Sequence, residues 1–355
     1  MHSVGKIEFP NFTLRTLQNR HRKVTPPFPP MTDQQLQSIH EQIVKGIQKY
    51  FSETRLNRVV VGVSGGVDSA LTLKLAVDAL GGEKVTAIAM PENGITSAEN
   101  VMHAKKLSEA LGTSFYLQSI NQFLLNFASV PWSGNSLAAQ NAKARIRAIL
   151  LYHYANSQNA LVLGTSNRSE ILLGYGTKYG DLAADLEVIG DLYKTEVIEL
   201  ADYVGLPPEI AHKTPSAELF AGQTDEGELG ASYNEMDPVL KRIDQGINAL
   251  VERGLPPALV HSVFKRVETN KHKSEMPPII KIKKSTSTPS PTTSEKKTGQ
   301  KSQTADQKKS ASKKKTDKTI KTVLDPEYSS TPAELVSPPE TIVDNRQTSL
   351  TDLSL

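Results

Sequence analysis

The feature that most constrains this chain is the run Arg58-Val-Val-Val-Gly-Val-Ser-Gly-Gly-Val-Asp-Ser-Ala-Leu71. Its β-branched apolar half reads as a strand buried on both faces, and Ala70 to Leu80 has helical spacing. Between them, Ser64-Gly65-Gly66-Val67-Asp68-Ser69 lets the backbone turn tightly and leaves the first amides of the helix pointing outward as an anion site. A Walker loop needs a Lys-Ser/Thr pair after its glycines, yet no lysine stands between Arg58 and Lys74. A kinase- or GTPase-type loop is therefore not expected. Amides and the Ser64 and Ser69 hydroxyls can instead hold phosphate, while Asp68 offers the hard oxygen that Mg2+ prefers. A plain strand-to-helix turn would explain the glycines but not two hydroxyls and a carboxylate crowded into one turn.

The arrangement S-G-G-x-D-S resembles the pyrophosphate loop of the N-type ATP pyrophosphatases, which cleave ATP between its α and β phosphates. The rest of the chain bears on that resemblance. Residues 1–31, with Pro26, Pro27, Pro29 and Pro30 and several basic side chains, read as an N-terminal arm rather than a signal peptide. No run reaches 18 apolar residues, so a soluble, cytoplasmic protein is expected, with no membrane partner. The 355 residues contain no cysteine, which removes disulfides, thiolate metal sites and cysteine nucleophiles. Residues 274–355 are rich in Lys, Ser, Thr and Pro and lack periodicity, so a disordered tail is expected. Within it, residues 281–321 carry 13 lysines against three acidic residues, a net +10. Such a stretch can touch nucleic acid or an acidic partner weakly, or be a solvated extension with no partner.

Residues 32–273 alternate strands and helices. A capping box at Thr32 and Gln35 opens an amphipathic helix through Leu36, Ile39, Ile43 and Ile47. Further strands are expected at 85–90, 114–117 and 160–163, with helices over 97–111 and 137–155. The pattern predicts an α/β fold, a doubly wound parallel sheet flanked by helices, with ligands at the carboxyl ends of the strands. After Gly164 come polar residues a core would not tolerate; Glu170 could join Asp68 on one Mg2+, and Gly174, Gly176 and Gly180 prevent a long helix. The polar segment Lys213 to Gly227 reads as a lid over the nucleotide, with Ser216 on its inner side.

The ordered series Asn141-Ala-Lys-Ala-Arg-Ile-Arg147, Asn167-Arg-Ser-Glu170, Gly176-Thr-Lys-Tyr-Gly-Asp181, Gly190-Asp-Leu-Tyr-Lys-Thr-Glu-Val197, Thr214-Pro-Ser-Ala-Glu-Leu219 and Asn270-Lys-His-Lys273 resembles the NAD synthetases, of the ammonia-dependent kind. The resemblance spans about residues 33–280. It implies a Rossmann-like fold of the ATP pyrophosphatase type and a ligase that amidates nicotinic acid adenine dinucleotide (deamido-NAD) to NAD. ATP, deamido-NAD and ammonia would be the substrates, an adenylate the intermediate, and AMP and pyrophosphate the by-products. Carried over by position, Gly62, Val63, Ser64, Gly65, Gly66, Val67, Asp68, Ser69, Thr165, Lys194 and Ser216 would bind ATP. Asp68 and Glu170 would hold Mg2+ and, with Lys194, form the catalytic group. Arg145, Lys178, Asp185, His272 and Lys273 would bind deamido-NAD. The family pattern usually continues with another basic residue where Ser274 stands. The resemblance also implies a homodimer, for which the helix from Leu137 to Ala155 is a candidate contact or else an ordinary core helix.

Each residue also has a plainer reading. Arg145 and Arg147 could form an exposed charged face, Lys194 a helix-surface charge, and His272 with Lys273 a solvated basic end. Glutamine-dependent relatives carry an amidase domain with a cysteine nucleophile, so the lack of cysteine makes free ammonia the expected donor. tRNA-thiolating enzymes with the same loop need cysteines too. The alternative from a different class is a non-catalytic nucleotide-binding module whose basic tail docks on nucleic acid or a partner.

Overall fold

The computed structural model describes residues 29–282 apart from Ala217 and Ala221; most of the expected N-terminal arm, and the expected tail beyond Ile282, lie outside the described residues. The described residues belong to one compact unit ending at Ile282. Helix α1 (Asp33–Glu53) starts at the expected capping box. Thr32 Oγ1 accepts from the Gln35 amide at 3.3 Å, and the Gln35 side chain takes the Thr32 amide at 2.9 Å.

Strand β1 (Arg58–Gly62) follows, and Val59, Val60 and Val61 are wholly buried. It leads through the glycine loop into α2 (Val67–Leu80), then β2 (Val85–Ala89), α3 (Ala98–Ala110), β3 (Ser114–Leu117), α4 (Asn121–Leu125), α5 (Ser136–Gln158), β4 (Ala160–Gly164), α6 (Arg168–Leu173) and β5 (Leu186–Glu187). The remaining helices are α7 (Lys194–Tyr203), α8 (Pro208–Ala211), α9 (Asp225–Leu229), α10 (Tyr233–Leu240), α11 (Ile247–Glu252) and α12 (Pro257–Asn270).

All five strands are parallel, in the order β3-β2-β1-β4-β5. The period-2 alternation of β1 separates its valines. Val59 and Val61 join the core under α1, α2 and α7, while Val60 meets Ile88, Ile146 and Val162 on the α5 side. Helices on both faces make the sheet doubly wound, as the alternating pattern predicts. Strand β5 has no counterpart among the expected strands, because two residues carry no periodicity. A separate apolar cluster, including Leu173, Tyr233, Met236, Leu240 and Val260, binds α6 to α10 and α12. The strand order reverses between β1 and β4, and their carboxyl ends open a crevice at that switch point.

Candidate active site

The loop after β1 is shaped by its own hydroxyls. Ser64 and Ser69 Oγ lie 3.2 Å apart, Ser69 Oγ accepts from the Ser64 amide at 3.1 Å, and Ser64 Oγ accepts from the Gly66 amide at 3.3 Å. Gly65 has φ +84°, and a Cβ there would lie 2.4 Å from the Asn100 carbonyl oxygen, so only glycine fits. Gly66 caps α2, whose 14 residues direct free amides and the positive end of a helix dipole at the crevice.

Asp68, in the first turn of α2, is held from two sides. Its Oδ1 accepts from Asn167 Nδ2 at 2.8 Å, and its Oδ2 accepts from Lys194 Nζ. Asn167 is wholly buried and caps α6 after β4; its Oδ1 accepts from the Glu170 amide at 3.0 Å, and the Glu170 carboxylate returns to the Asn167 amide at 3.3 Å. That capping box turns Glu170 Oε1 to within 3.9 Å of Lys194 Nζ. Lys194, only 2% exposed, opens α7. Its amide donates to Ser169 Oγ at 3.0 Å, Ser169 donates to Asp237 Oδ1 at 2.6 Å, and the Thr195 amide donates to Asp237 Oδ2 at 3.0 Å.

The electrostatics follow from this packing. Burial, the nearby Asp68 carboxylate and Asp225 together outweigh Lys194 and push the Glu170 carboxyl well above its ordinary range. Burial alone would pull the Lys194 ammonium down, but Asp68 and Glu170 overcome it and its pKa rises. Asp225, raised by burial, takes hydrogen bonds from Tyr175 at 3.1 Å and Tyr233 at 3.2 Å. One ammonium thus faces three carboxyl groups, a crowd of oxygen donors. Asp68 and Glu170 could hold a Mg2+ ion, which takes one or two carboxylates and completes its shell with phosphate and water. No group of three or more acidic, His or Cys side chains that could cage a metal occurs among the described residues.

These groups line a cavity of about 610 Å³, within the range of small-ligand sites. Of the residues expected to bind ATP, Gly62, Val63, Ser64, Gly66, Val67, Asp68, Ser69, Thr165, Lys194 and Ser216 line it, and Gly65 packs behind against Asn100. Ser216 Oγ donates to the Gln223 carbonyl at 2.7 Å. Of the five residues expected to bind deamido-NAD, Arg145, Lys178, His272 and Lys273 are neighbours and Asp185 lies apart. Lys273 lines the cavity and donates to the carbonyls of Gly174 and Gly176 at 2.8 and 3.1 Å. Lys178 Nζ donates to the carbonyls of His272 and Glu275, and the exposed Arg145 donates to the Lys178 carbonyl at 3.3 Å. His272 is exposed. Asp185 borders a second cavity of about 310 Å³ beside Tyr50 and Tyr152, where burial and Asp185 push the Tyr152 phenol up to about 12.

Several groups in and behind the cavity wall have no role assigned from sequence. Asn167 bridges Asp68 and Glu170, and the Asn-x-x-Glu spacing of a capping box is the available signal. Asp237 and Ser169 seat Lys194, a tertiary contact without sequence signature. Arg147, whose Nε donates to the Met90 carbonyl at 2.9 Å, faces the cavity, whereas Arg145 does not line it.

The geometry agrees with what the chain resembles. Residues 39–277 match the model of the NAD synthase family. An NH(3)-dependent NAD(+) synthetase from Archaeoglobus fulgidus is 44% identical over 247 residues, covering 70% of this chain and 98% of that protein. An NH3-dependent NAD synthetase from Campylobacter jejuni, solved with nitrate ion, superposes with a TM-score of 0.61 at 35% identity over 69% of this chain and 99% of its own. An NMN synthetase from Francisella tularensis also gives 0.61, at 30% identity over 70% and 99%.

Proposed function

This chain belongs to the NAD synthase family, and from that premise we propose that it is an ammonia-dependent NAD(+) synthetase. The observation that carries the reading is the meeting of Asp68, Glu170 and Lys194 beside a glycine-rich helix N-terminus at the β1/β4 switch point. In the first step the pyridine carboxylate of deamido-NAD attacks the α-phosphorus of ATP; a C–O–P linkage forms, and the bond to the β-phosphate oxygen breaks. The loop amides and the Ser64 and Ser69 hydroxyls receive the charge that collects on the leaving pyrophosphate, and Lys194 offsets charge on the transferring phosphoryl group. Asn167 and Asp237 act through others, fixing the Asp68 carboxylate and the Lys194 backbone. In the second step ammonia adds to the activated carbonyl, the bond from that carbon to the phosphate oxygen breaks so that AMP leaves with the oxygen and the electron pair, and one N–H proton passes to solvent. Because the adenylate is open to hydrolysis, the cavity must exclude water while ammonia enters.

Mg2+ belongs to the proposal. Asp68 and Glu170 would hold it, and bound there it would draw off phosphate charge. Arg145, Lys178, Asp185, His272 and Lys273 remain our candidates for deamido-NAD. We also infer a homodimer. Residues 110–142 contain no charged side chain, and within them Tyr116, Leu117, Leu125, Phe127, Trp132 and Leu137 are each more than half exposed. Depletion of charge and exposed aromatic residues mark an interface core. The testing experiment is product analysis with ATP, Mg2+ and ammonium, offering deamido-NAD or nicotinic acid mononucleotide. NAD, AMP and pyrophosphate from the dinucleotide support the reading; amidation of the mononucleotide in preference keeps the chemistry and overturns the substrate.

A further inference from the structure

Glu218 has φ +47°, a left-handed backbone that a non-glycine residue rarely adopts. Such a conformation persists where the surroundings over-determine it. Four contacts hold this one. The Glu218 amide donates to Ser216 Oγ at 3.1 Å and the Leu219 amide to Gln223 Oε1 at 2.7 Å, both within the segment. The other two come from elsewhere in the fold. Lys143 on α5 donates to the Leu219 carbonyl at 2.8 Å while pairing with Glu92 at 2.6 Å, and Asn100 on α3 donates through Nδ2 to the Glu218 carboxylate.

Asn100 has a second contact of a different kind. It is 3% exposed in the first turn of α3, where its amide is capped by Ser97 Oγ at 3.2 Å. Its carbonyl oxygen sits against Gly65 of the phosphate loop so closely that no side chain fits between them. Its side-chain orientation is fixed chemically, since only the NH2 group can face a carboxylate; Oδ1 is left buried with no partner. Leaving a buried acceptor unsatisfied is costly, which argues that the Glu218 contact is worth keeping.

We propose that Asn100 is a positioning residue for ATP: its main chain sets the phosphate loop at Gly65, and its side chain sets Glu218 and with it Ser216, which lines the same cavity. One residue thereby ties together two segments that must both meet the same nucleotide. The inference rests on the nucleotide reading of this cavity.

The test exploits a charge swap. Asn100→Asp places two carboxylates in contact, whereas Asn100→Asp combined with Glu218→Gln restores one donor and one acceptor in reversed order and leaves the Asn100 carbonyl in place. Calorimetric titration of the full chain with Mg-ATP alone, together with steady-state KM and kcat, reads the result. The single variant should bind ATP about tenfold more weakly, with the loss carried by KM for ATP more than by kcat. The double variant should recover most of it. Glu218→Ala, which leaves α3 untouched, should also weaken binding and serves if Asn100→Asp melts early. ATP binding by the native chain that is indifferent to these variants, or a double variant no better than Asn100→Asp, overturns the inference and leaves the site reading standing. Failure of the native chain to bind ATP overturns both.

Discussion

Lys194 Nζ is hydrogen-bonded to Asp68 Oδ2 and stands 3.9 Å from Glu170 Oε1, so one buried ammonium joins the first turns of α2 and α6, the helices that follow β1 and β4. Replacing it with the similarly sized Lys194→Met leaves the Asp68 and Glu170 carboxyls without the cation they share. Turnover should fall by about 10²–10³, the usual loss for one preorganised charge. Stability should drop by about 3–5 kcal/mol, because a partner of a buried pair is gone. Quenched-flow measurement of pyrophosphate release and a denaturant titration separate the two effects. Undiminished pyrophosphate release would remove Lys194 from the chemistry.

Asp237 lies outside the cavity lining yet seats Lys194 through Ser169 and the Thr195 amide. Asp237→Asn keeps the shape but can satisfy only one of these two donors with its single carbonyl oxygen. A stability loss of about 1–3 kcal/mol is expected from the donor left unpaired. The drop in kcat should exceed any change in KM for ATP, as a displaced Lys194 predicts; a variant with lower melting temperature and native kcat would make Asp237 purely structural.

The sequence already carried the phosphate loop, because two glycines, two serines and an aspartate between strand and helix leave few other conformations. It did not carry Asp237, which is 43 residues from Lys194 and meets it only after α10 packs on α7. Arg145 and Arg147 show a subtler limit. Two residues apart on α5, they must point to different faces. Only the packing of Ala144, Ile146 and Ala148 decides which guanidinium turns to the cavity. The strand pattern predicted β1 to β4, while β5 has too few residues to show alternation. The meeting of Lys178 with the segment that carries His272 and Lys273, and the separation of Asp185 from them, could not be read from spacing, since the carbonyls that Lys178 reaches lie almost 100 residues away.

Gly65 should tolerate no side chain. Gly65→Ala would combine a strained positive φ, costing about 1–3 kcal/mol, with a 2.4 Å clash against the Asn100 carbonyl. The loop must shift, so ATP affinity should fall at least about tenfold while the melting transition stays cooperative. Native ATP affinity in this variant would show that ATP binds to a different loop geometry.

Glu187, packed under Gly164, has its carboxyl pushed up to about 7 by burial, and Oε2 has no hydrogen-bond partner. Its pKa is raised in the folded state, so the unfolded chain gives up the proton first. Stability conferred by the neutral form is full below about pH 4.5 and is lost as pH rises to about 7. The whole effect is about 3 kcal/mol as an order of magnitude. Glu187→Gln should flatten that part of the stability profile and raise stability at about pH 7.5, measured by urea unfolding across pH. Parallel profiles for the two proteins would contradict the assignment.

The charge-free face should hold two copies together. Leu125→Arg, at a side chain 72% exposed, places a charge in that face without touching the core. Sedimentation velocity should show a dimer for the native chain and a shift to monomer for the variant. A native chain that sediments as a monomer would require another occupant for these residues.

The most direct test of the mechanism follows oxygen. Deamido-NAD with both oxygens of its pyridine carboxylate replaced by 18O is turned over with ATP, Mg2+ and ammonium, and the products are weighed. Attack on the α-phosphorus predicts one 18O in AMP, one in the carboxamide of NAD and none in pyrophosphate. Label appearing in inorganic phosphate with ADP as co-product, or AMP formed without label, would contradict an adenylate intermediate and the phosphate loop's role as the cradle for leaving pyrophosphate.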